Sequence, residues 1–120
     1  MSKIALVVDD STVTRMMVKK ILTDRNEGWE FLEADSADKA MTLIPTIQQL
    51  DLATIDQNMP GEKTGLDFAE ELKKAFPKTK ITMITANIQD AVRKRADAVG
   101  VLFIEKPVSV EKINNLLGNQ

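Results

Sequence analysis

The chain of 120 residues has no cysteine and no histidine. The first absence excludes disulfides, thiolate metal sites and thiol nucleophiles. The second removes Ser-His-Asp hydrolysis, the usual zinc sites and phosphohistidine chemistry on this chain. Tyrosine is missing too, and one tryptophan and four phenylalanines bring the aromatic share to only 4%. A net charge of -2 gives no electrostatic case for nucleic acid. No segment approaches the roughly 20 apolar residues of a membrane span. The first apolar run begins at Ile4, which leaves no room for a signal peptide. A cytoplasmic location is therefore expected. With 43% apolar and 28% charged residues the balance is that of an ordinary globular protein. No linker or low-complexity stretch interrupts it, so residues 1–120 are expected to form a single domain with no output domain.

What is present is an alternation. Short apolar runs, Ile4–Val8, Leu52–Ile55, Ile81–Ile84 and Val101–Ile104, alternate with segments of helical period. That pattern predicts an α/β fold of five βα units around a parallel sheet, with right-handed crossovers. The more polar run Trp29–Ala34 suits an edge strand. A first helix is expected from about Ser11 to Asp24, with Val13, Met17 and Ile21 on its apolar stripe and Ser11 or Thr12 as cap. A second starts near Asp35-Ser36 and runs towards Ile47, with Pro45 kinking or ending it. The third carries Leu66, Ala69, Leu72 and Phe76. The fourth carries Ile88, Ala91, Val92, Ala96 and Val99 and ends at Gly100. The fifth carries Val110, Ile113, Leu116 and Leu117 between Ser109 and Gly118. Met16, Met17, Met41, Met59 and Met83 read as core filler, and Arg93-Lys94-Arg95 as a solvated helix face.

Reactive residues follow the strands. Asp9 and Asp10 come directly after the first run, Asp56 after Ile55, Thr85 after Ile84 and Lys106 shortly after Ile104. In open parallel sheets the carboxyl ends of the strands are where ligands bind. Crowded carboxylates repel one another, and a hard divalent cation relieves that repulsion. Mg²⁺ suits one or two carboxylates plus a phosphate and needs neither histidine nor cysteine. Asp10 and Asp56 are the expected direct ligands, with Asp9 acting through water or holding the ligands in place. An Asp carboxylate can also attack phosphorus to give an aspartyl phosphate. The three equatorial oxygens would then fall to the cation, the Lys106 ammonium and the Thr85 hydroxyl. Pro107 would hold Lys106 just beyond its strand, through a cis bond if one forms.

These residues resemble the receiver domain of two-component response regulators, especially the stand-alone chemotaxis type. The resemblance rests on Val7-Val8-Asp9-Asp10-Ser11, Asp56-Gln57-Asn58-Met59-Pro60-Gly61, Thr85-Ala86 and Lys106-Pro107, with Phe103 three residues before the lysine. It covers the whole chain. It implies a flavodoxin-like (βα)5 sandwich with strand order 2-1-3-4-5. Asp56 would be the phospho-acceptor, charged by a partner histidine kinase. Asp9, Asp10, Asp56 and the backbone carbonyl of Asn58 would bind Mg²⁺, and Lys106 would contact the phosphoryl group. Thr85 and Phe103 would form the switch, and Asn58 and Asn87 would line the path of the hydrolytic water. The signal would leave by protein binding at the face of helix four, strand five and helix five. Two differences from the family pattern stand out. Gly65 lies five residues after Pro60 rather than four, and the segment Gly100–Lys106 is one residue shorter.

The same residues bear on three other functions. A relay intermediate would pass its phosphoryl group to a histidine phosphotransfer protein. A haloacid-dehalogenase-type phosphatase would use Asp-x-Asp, but here the second position is Asn58, so its proton donor is missing. A flavodoxin would need a hydroxyl-rich loop after strand one and aromatic stackers, where this chain has acids, no tyrosine and one tryptophan.

Overall fold

The computed structural model describes residues 2–86 and 89–118. Five strands, β1 (Lys3–Val8), β2 (Trp29–Ala34), β3 (Leu52–Asp56), β4 (Lys80–Thr85) and β5 (Leu102–Glu105), alternate with five helices. The helices are α1 (Thr12–Asp24), α2 (Ala37–Leu43), α3 (Gly65–Ala75), α4 (Asp90–Val99) and α5 (Val110–Leu117). The sheet is parallel with order β2-β1-β3-β4-β5. This is the expected flavodoxin-like order. The chain reverses direction along the sheet after β2, so β1 and β3 lie side by side at the switch point. Their register, Val8 opposite Ile55, sets Asp9 level with Asp56.

The inner strands β1, β3 and β4 are buried on both faces, as a doubly covered parallel sheet requires. One core cluster takes Leu6, Ile55, Phe68, Leu72 and Met83; the other takes Val7, Leu22, Leu52, Ile84 and Ile113. Local signals place the helix ends. The hydroxyls of Ser11, Ser36 and Ser109 accept from Thr14, Lys39 and Lys112 N–H as N-caps. Pro45 ends α2 at Leu43 and starts a 3₁₀ turn, Ile44–Thr46. Gly100 takes a left-handed conformation (φ 77°) that closes α4.

One expectation needs correction. The helical period puts Val13 and Met17 on the packed stripe and reads Met16 as core filler, yet Val13, Met16 and Met17 are 66%, 59% and 39% exposed. The buried face of α1 is Val18, Ile21 and Leu22. The first turns of α1 stand beyond the sheet's carboxyl edge, so a correct helical period there has nothing to pack against. Helix α4 begins at Asp90, and Ile88, assigned to it from the sequence, lies outside the described residues. No helix of the described residues is long and apolar enough to cross a membrane.

Candidate functional site

Each reactive side chain is delivered by a strand end. Asp9 follows β1, and its N–H still pairs with the Ala34 carbonyl at 3.1 Å. Its carboxylate is turned inward and buried. One oxygen accepts the Ser11 N–H at 2.8 Å; the other lies 3.4 Å from the Lys106 ammonium. Asp10, the next residue, alternates outward and is exposed. Asp56 is the last residue of β3 and is 4% exposed. It lies 3.5 Å from Lys106 and accepts the Asn58 N–H. The carboxylate oxygens of Asp9, Asp10 and Asp56 gather within 4.8 Å of one another.

Lys106 is held from its backbone. Its N–H donates to the Thr85 carbonyl at 2.9 Å, and the Lys106–Pro107 peptide is cis. The Lys112 ammonium on α5 grips the same turn through the Glu105 and Pro107 carbonyls, at 2.8 and 3.0 Å. Thr85 ends β4 and is buried. Phe103 on β5 is half-buried, and the Arg93 guanidinium stands 5.4 Å from its ring centre.

The electrostatics are those of an acidic cluster short of positive charge. Burial pushes the Asp56 carboxyl up from 3.8 to about 6, and the charge of Asp9 adds to it. The Lys106 charge and the Asn58 N–H pull the other way without prevailing. Burial also raises Asp9, against the Ser11 N–H and Lys106. One ammonium between two buried carboxylates leaves a deficit that only a proton or a further cation can fill. Oxygen-only donors, one of them facing solvent, fit a hard divalent ion such as Mg²⁺ that keeps part of its water.

The expected site is thus largely assembled: Asp9, Asp10, Asp56 and Lys106 converge, Thr85 ends the adjacent strand, and Asn58 follows in an exposed loop. Asn87 lies outside the described residues. One participant was missed. Arg15 on α1 donates to the Asp9 backbone carbonyl, and also to Glu33 at 3.2 Å and Thr12 at 3.3 Å. The signal for it was the arginine one helical turn past the Ser11 cap, where a side chain pointing back to the helix start meets β1.

A family model described as the response regulator receiver domain matches residues 5–117. The chemotaxis protein CheY of Thermotoga maritima is 34% identical over 115 residues, covering 94% of this chain and 92% of that protein. The glycerol metabolism activator of Pseudomonas putida is 30% identical over 102 residues; the match spans 84% of this chain but only 46% of that protein. A response regulator of Burkholderia pseudomallei, crystallised with a phosphorylated aspartic acid, calcium ion and citrate, superimposes with a TM-score of 0.83. It is 26% identical, covering 98% of this chain and 68% of that one.

Proposed function

The chain belongs to the response regulator receiver family, whose members are phospho-accepting signalling switches, and from that premise we propose that Asp56 is its phosphorylation site. The observation that carries this reading is the cluster itself. Asp56 is the buried carboxylate that ends the central strand, faces Lys106, and crowds Asp9 and Asp10. In the proposed reaction an Asp56 carboxylate oxygen forms the new O–P bond. The P–N bond of a kinase phosphohistidine breaks, and the freed imidazole nitrogen takes a proton. Hydrolysis reverses the gain, as water attacks phosphorus and the Asp56 oxygen leaves.

Asp9, Asp10, Asp56 and the Asn58 carbonyl would hold Mg²⁺. Bound there, the ion supplies Lewis-acid neutralisation of phosphoryl charge. The Thr85 carbonyl holds the Lys106 backbone, Lys112 holds the carbonyls on either side of it, and two buried carboxylates face its ammonium, so the ammonium is placed before the phosphoryl group arrives. Thr85 binds a phosphoryl oxygen through its hydroxyl and, with Phe103, carries the change to the face of α4, β5 and α5. Asn58 and Asn87 set the lifetime of the acyl phosphate by gating water. A histidine kinase supplies the phosphoryl group in the cytoplasm, and a protein target reads it at that face. The Burkholderia regulator, with its phosphorylated aspartate and divalent ion, supports this assignment.

The test is direct. With Mg²⁺ and a small acyl-phosphate donor, the wild-type chain takes up one phosphoryl group and Asp56→Asn takes up none. Undiminished labelling of Asp56→Asn overturns the reading. Thr85→Ala, in turn, should accept phosphate and lose phosphate-dependent partner binding. Unchanged phosphate dependence in that variant would place the output elsewhere.

A further inference from the structure

Gln57 stands between two residues with assigned chemistry, Asp56 and Asn58. Both of its acceptors are used by the first turn of α3. Its backbone carbonyl accepts the Gly65 N–H at 3.2 Å, and its side-chain carbonyl accepts the Leu66 N–H at 2.9 Å in a half-buried setting. Thr64 takes the third donor, Asp67 N–H, at 3.1 Å, and the Asp67 carboxylate returns the bond to Thr64 N–H at 3.0 Å. The orphan donors that open α3 are thus shared between a capping box and Gln57.

The carbonyl of Gln57 and the N–H of Asn58 belong to one planar peptide unit. Its carbonyl end is fixed by Gly65 N–H, and its N–H end by the Asp56 carboxylate. The plane therefore has little freedom, and the Asn58 carbonyl, one residue on, starts from a fixed point. Gly65 tightens the link further. A Cβ at Gly65 would stand 2.0 Å from the Asp56 carbonyl oxygen, so the start of α3 lies directly on the phospho-acceptor's backbone. The start of α3 and the Asp56–Gln57 backbone are packed directly against each other. The span from Asn58 to Thr64 between them carries the extra residue noted in the sequence.

We infer that Gln57 is a positioning residue: its side-chain carbonyl locks the start of α3 to the end of β3, and so fixes the Asp56 carboxylate and the Asn58 carbonyl for the cation. This rests on the reading of Asp56 and Asn58 given above. Gln57 touches neither the cation nor the phosphoryl group in this role.

Three variants test it. Gln57→Met keeps the length and removes the acceptor. Gln57→Asn keeps the amide but is one methylene too short to reach Leu66, so it serves if the first folds poorly. Calorimetry with Mg²⁺ alone should show affinity reduced roughly tenfold in both, the scale of lost support behind a metal ligand. Labelling by the acyl-phosphate donor should need correspondingly more Mg²⁺ for half its maximum rate. Gln57→Glu keeps an acceptor at the same reach. In salt sufficient to screen the added charge, it should restore wild-type affinity. If both loss variants bind Mg²⁺ as tightly as wild type and show only a lower unfolding midpoint, Gln57 is a helix cap and the inference is overturned. A wild-type chain that binds Mg²⁺ but takes no phosphoryl group at Asp56 would overturn the phosphorylation reading instead. The Gln57 affinity series is read independently of that result.

Discussion

The two ends of the sheet handle charge in opposite ways. At the carboxyl end, Asp9 and Asp56 are buried around one lysine, and the Asp56 carboxyl is driven up to about 6. At the amino end, Glu27 meets Arg25 in two hydrogen bonds of 2.7 and 3.1 Å and accepts the Trp29 indole N–H at 3.1 Å. Arg25, foremost, holds the Glu27 carboxyl down at about 2. Arg25 continues to the Asn114 side chain and to the Gly118 carbonyl at 3.3 Å, while Lys80 donates to the Leu116 carbonyl at 2.8 Å. Cations there complete the end of α5, where helix carbonyls lack partners. One end closes its electrostatics internally and ties the last helix to the first. The other leaves its charge incomplete, a deficit that a bound cation would relieve.

The largest expected effect comes from opening the closed end. Arg25→Ala strips Glu27 of its partner and frees the end of α5, and should cost about 3 kcal/mol of unfolding free energy. Mg²⁺ affinity measured by calorimetry should not change. A weaker Mg²⁺ site in this variant would mean that the two ends are coupled and that the contrast is false.

Relieving the open end comes next. The unfolded Asp56 carboxyl ionises near 3.8 and the folded one near 6, so the folded chain holds the extra proton between those values. Stability from this group is therefore lost as pH rises from about 4 to 6, and the penalty is complete at pH 7. Asp56→Asn should stabilise the metal-free protein at pH 7 by about 2 kcal/mol, and the gain should shrink towards pH 4. Glu27 has the opposite sign. Its folded value lies below its ordinary 4.5, so its contribution is full above that value and fades as pH falls through about 2. Urea titrations of wild type, Asp56→Asn and Glu27→Gln between pH 3 and 7 separate the two windows. If Asp56→Asn gives no gain at pH 7, the carboxylates are not crowded in solution.

The sequence revealed these two ends unequally. The carboxyl end was legible because Asp9, Asp10, Asp56, Thr85 and Lys106 each sit beside an apolar run, and parallel strands bring such positions to one edge. The strand count and helix caps followed from the same local signals, while the strand order came only through the family resemblance. The amino end was invisible because Arg25 and Asn114 are 89 residues apart and neither belongs to a pattern. Burial in the first turns of α1 was misread because periodicity tells which residues share a face, not whether another element covers it. Gln57 escaped notice since a glutamine after an acid carries no signal until α3 is seen to begin against it. The opposite environments of Asp9 and Asp10 depend on the Ser11 and Lys106 contacts, which only the folded chain displays.

Between the two ends lies a smaller test. Among the described residues, the Thr82 hydroxyl is the one buried side-chain polar atom without a hydrogen-bond partner. It sits on β4 opposite Thr54, away from either charged cluster. Thr82→Val is isosteric and removes the unpaid desolvation, so it should raise stability by about 1 kcal/mol at every pH from 4 to 7. A pH-dependent gain would show that the open end's charge reaches the middle of the sheet.

The smallest expected effect lies on α4, where the same contrast recurs within three residues. Arg95 is paired, at 2.6 Å to Glu70 and 3.4 Å to Asp67 on α3, and so belongs to the closed kind. Arg93 has no carboxylate partner among the described residues and stands over the Phe103 ring instead. A guanidinium over an exposed ring contributes about 0.5 kcal/mol, more when desolvated. Here the ring is half-buried and is the proposed switch aromatic. A ring turned further in would give up the contact, so Arg93 weights the conformation described against that state. Arg93→Ala should shift that balance inward by about twofold, before any phosphoryl group is added. A fluorinated phenylalanine at position 103 would report the two states by ¹⁹F NMR, with and without Mg²⁺ and the acyl-phosphate donor. Arg95→Ala, which breaks only the tie to α3, should leave the ring populations as they are. Equal shifts from both variants would mean that the ring responds to the general placement of α4. No shift from Arg93→Ala would mean that packing alone holds the ring, and that the open end's influence stops at Thr85.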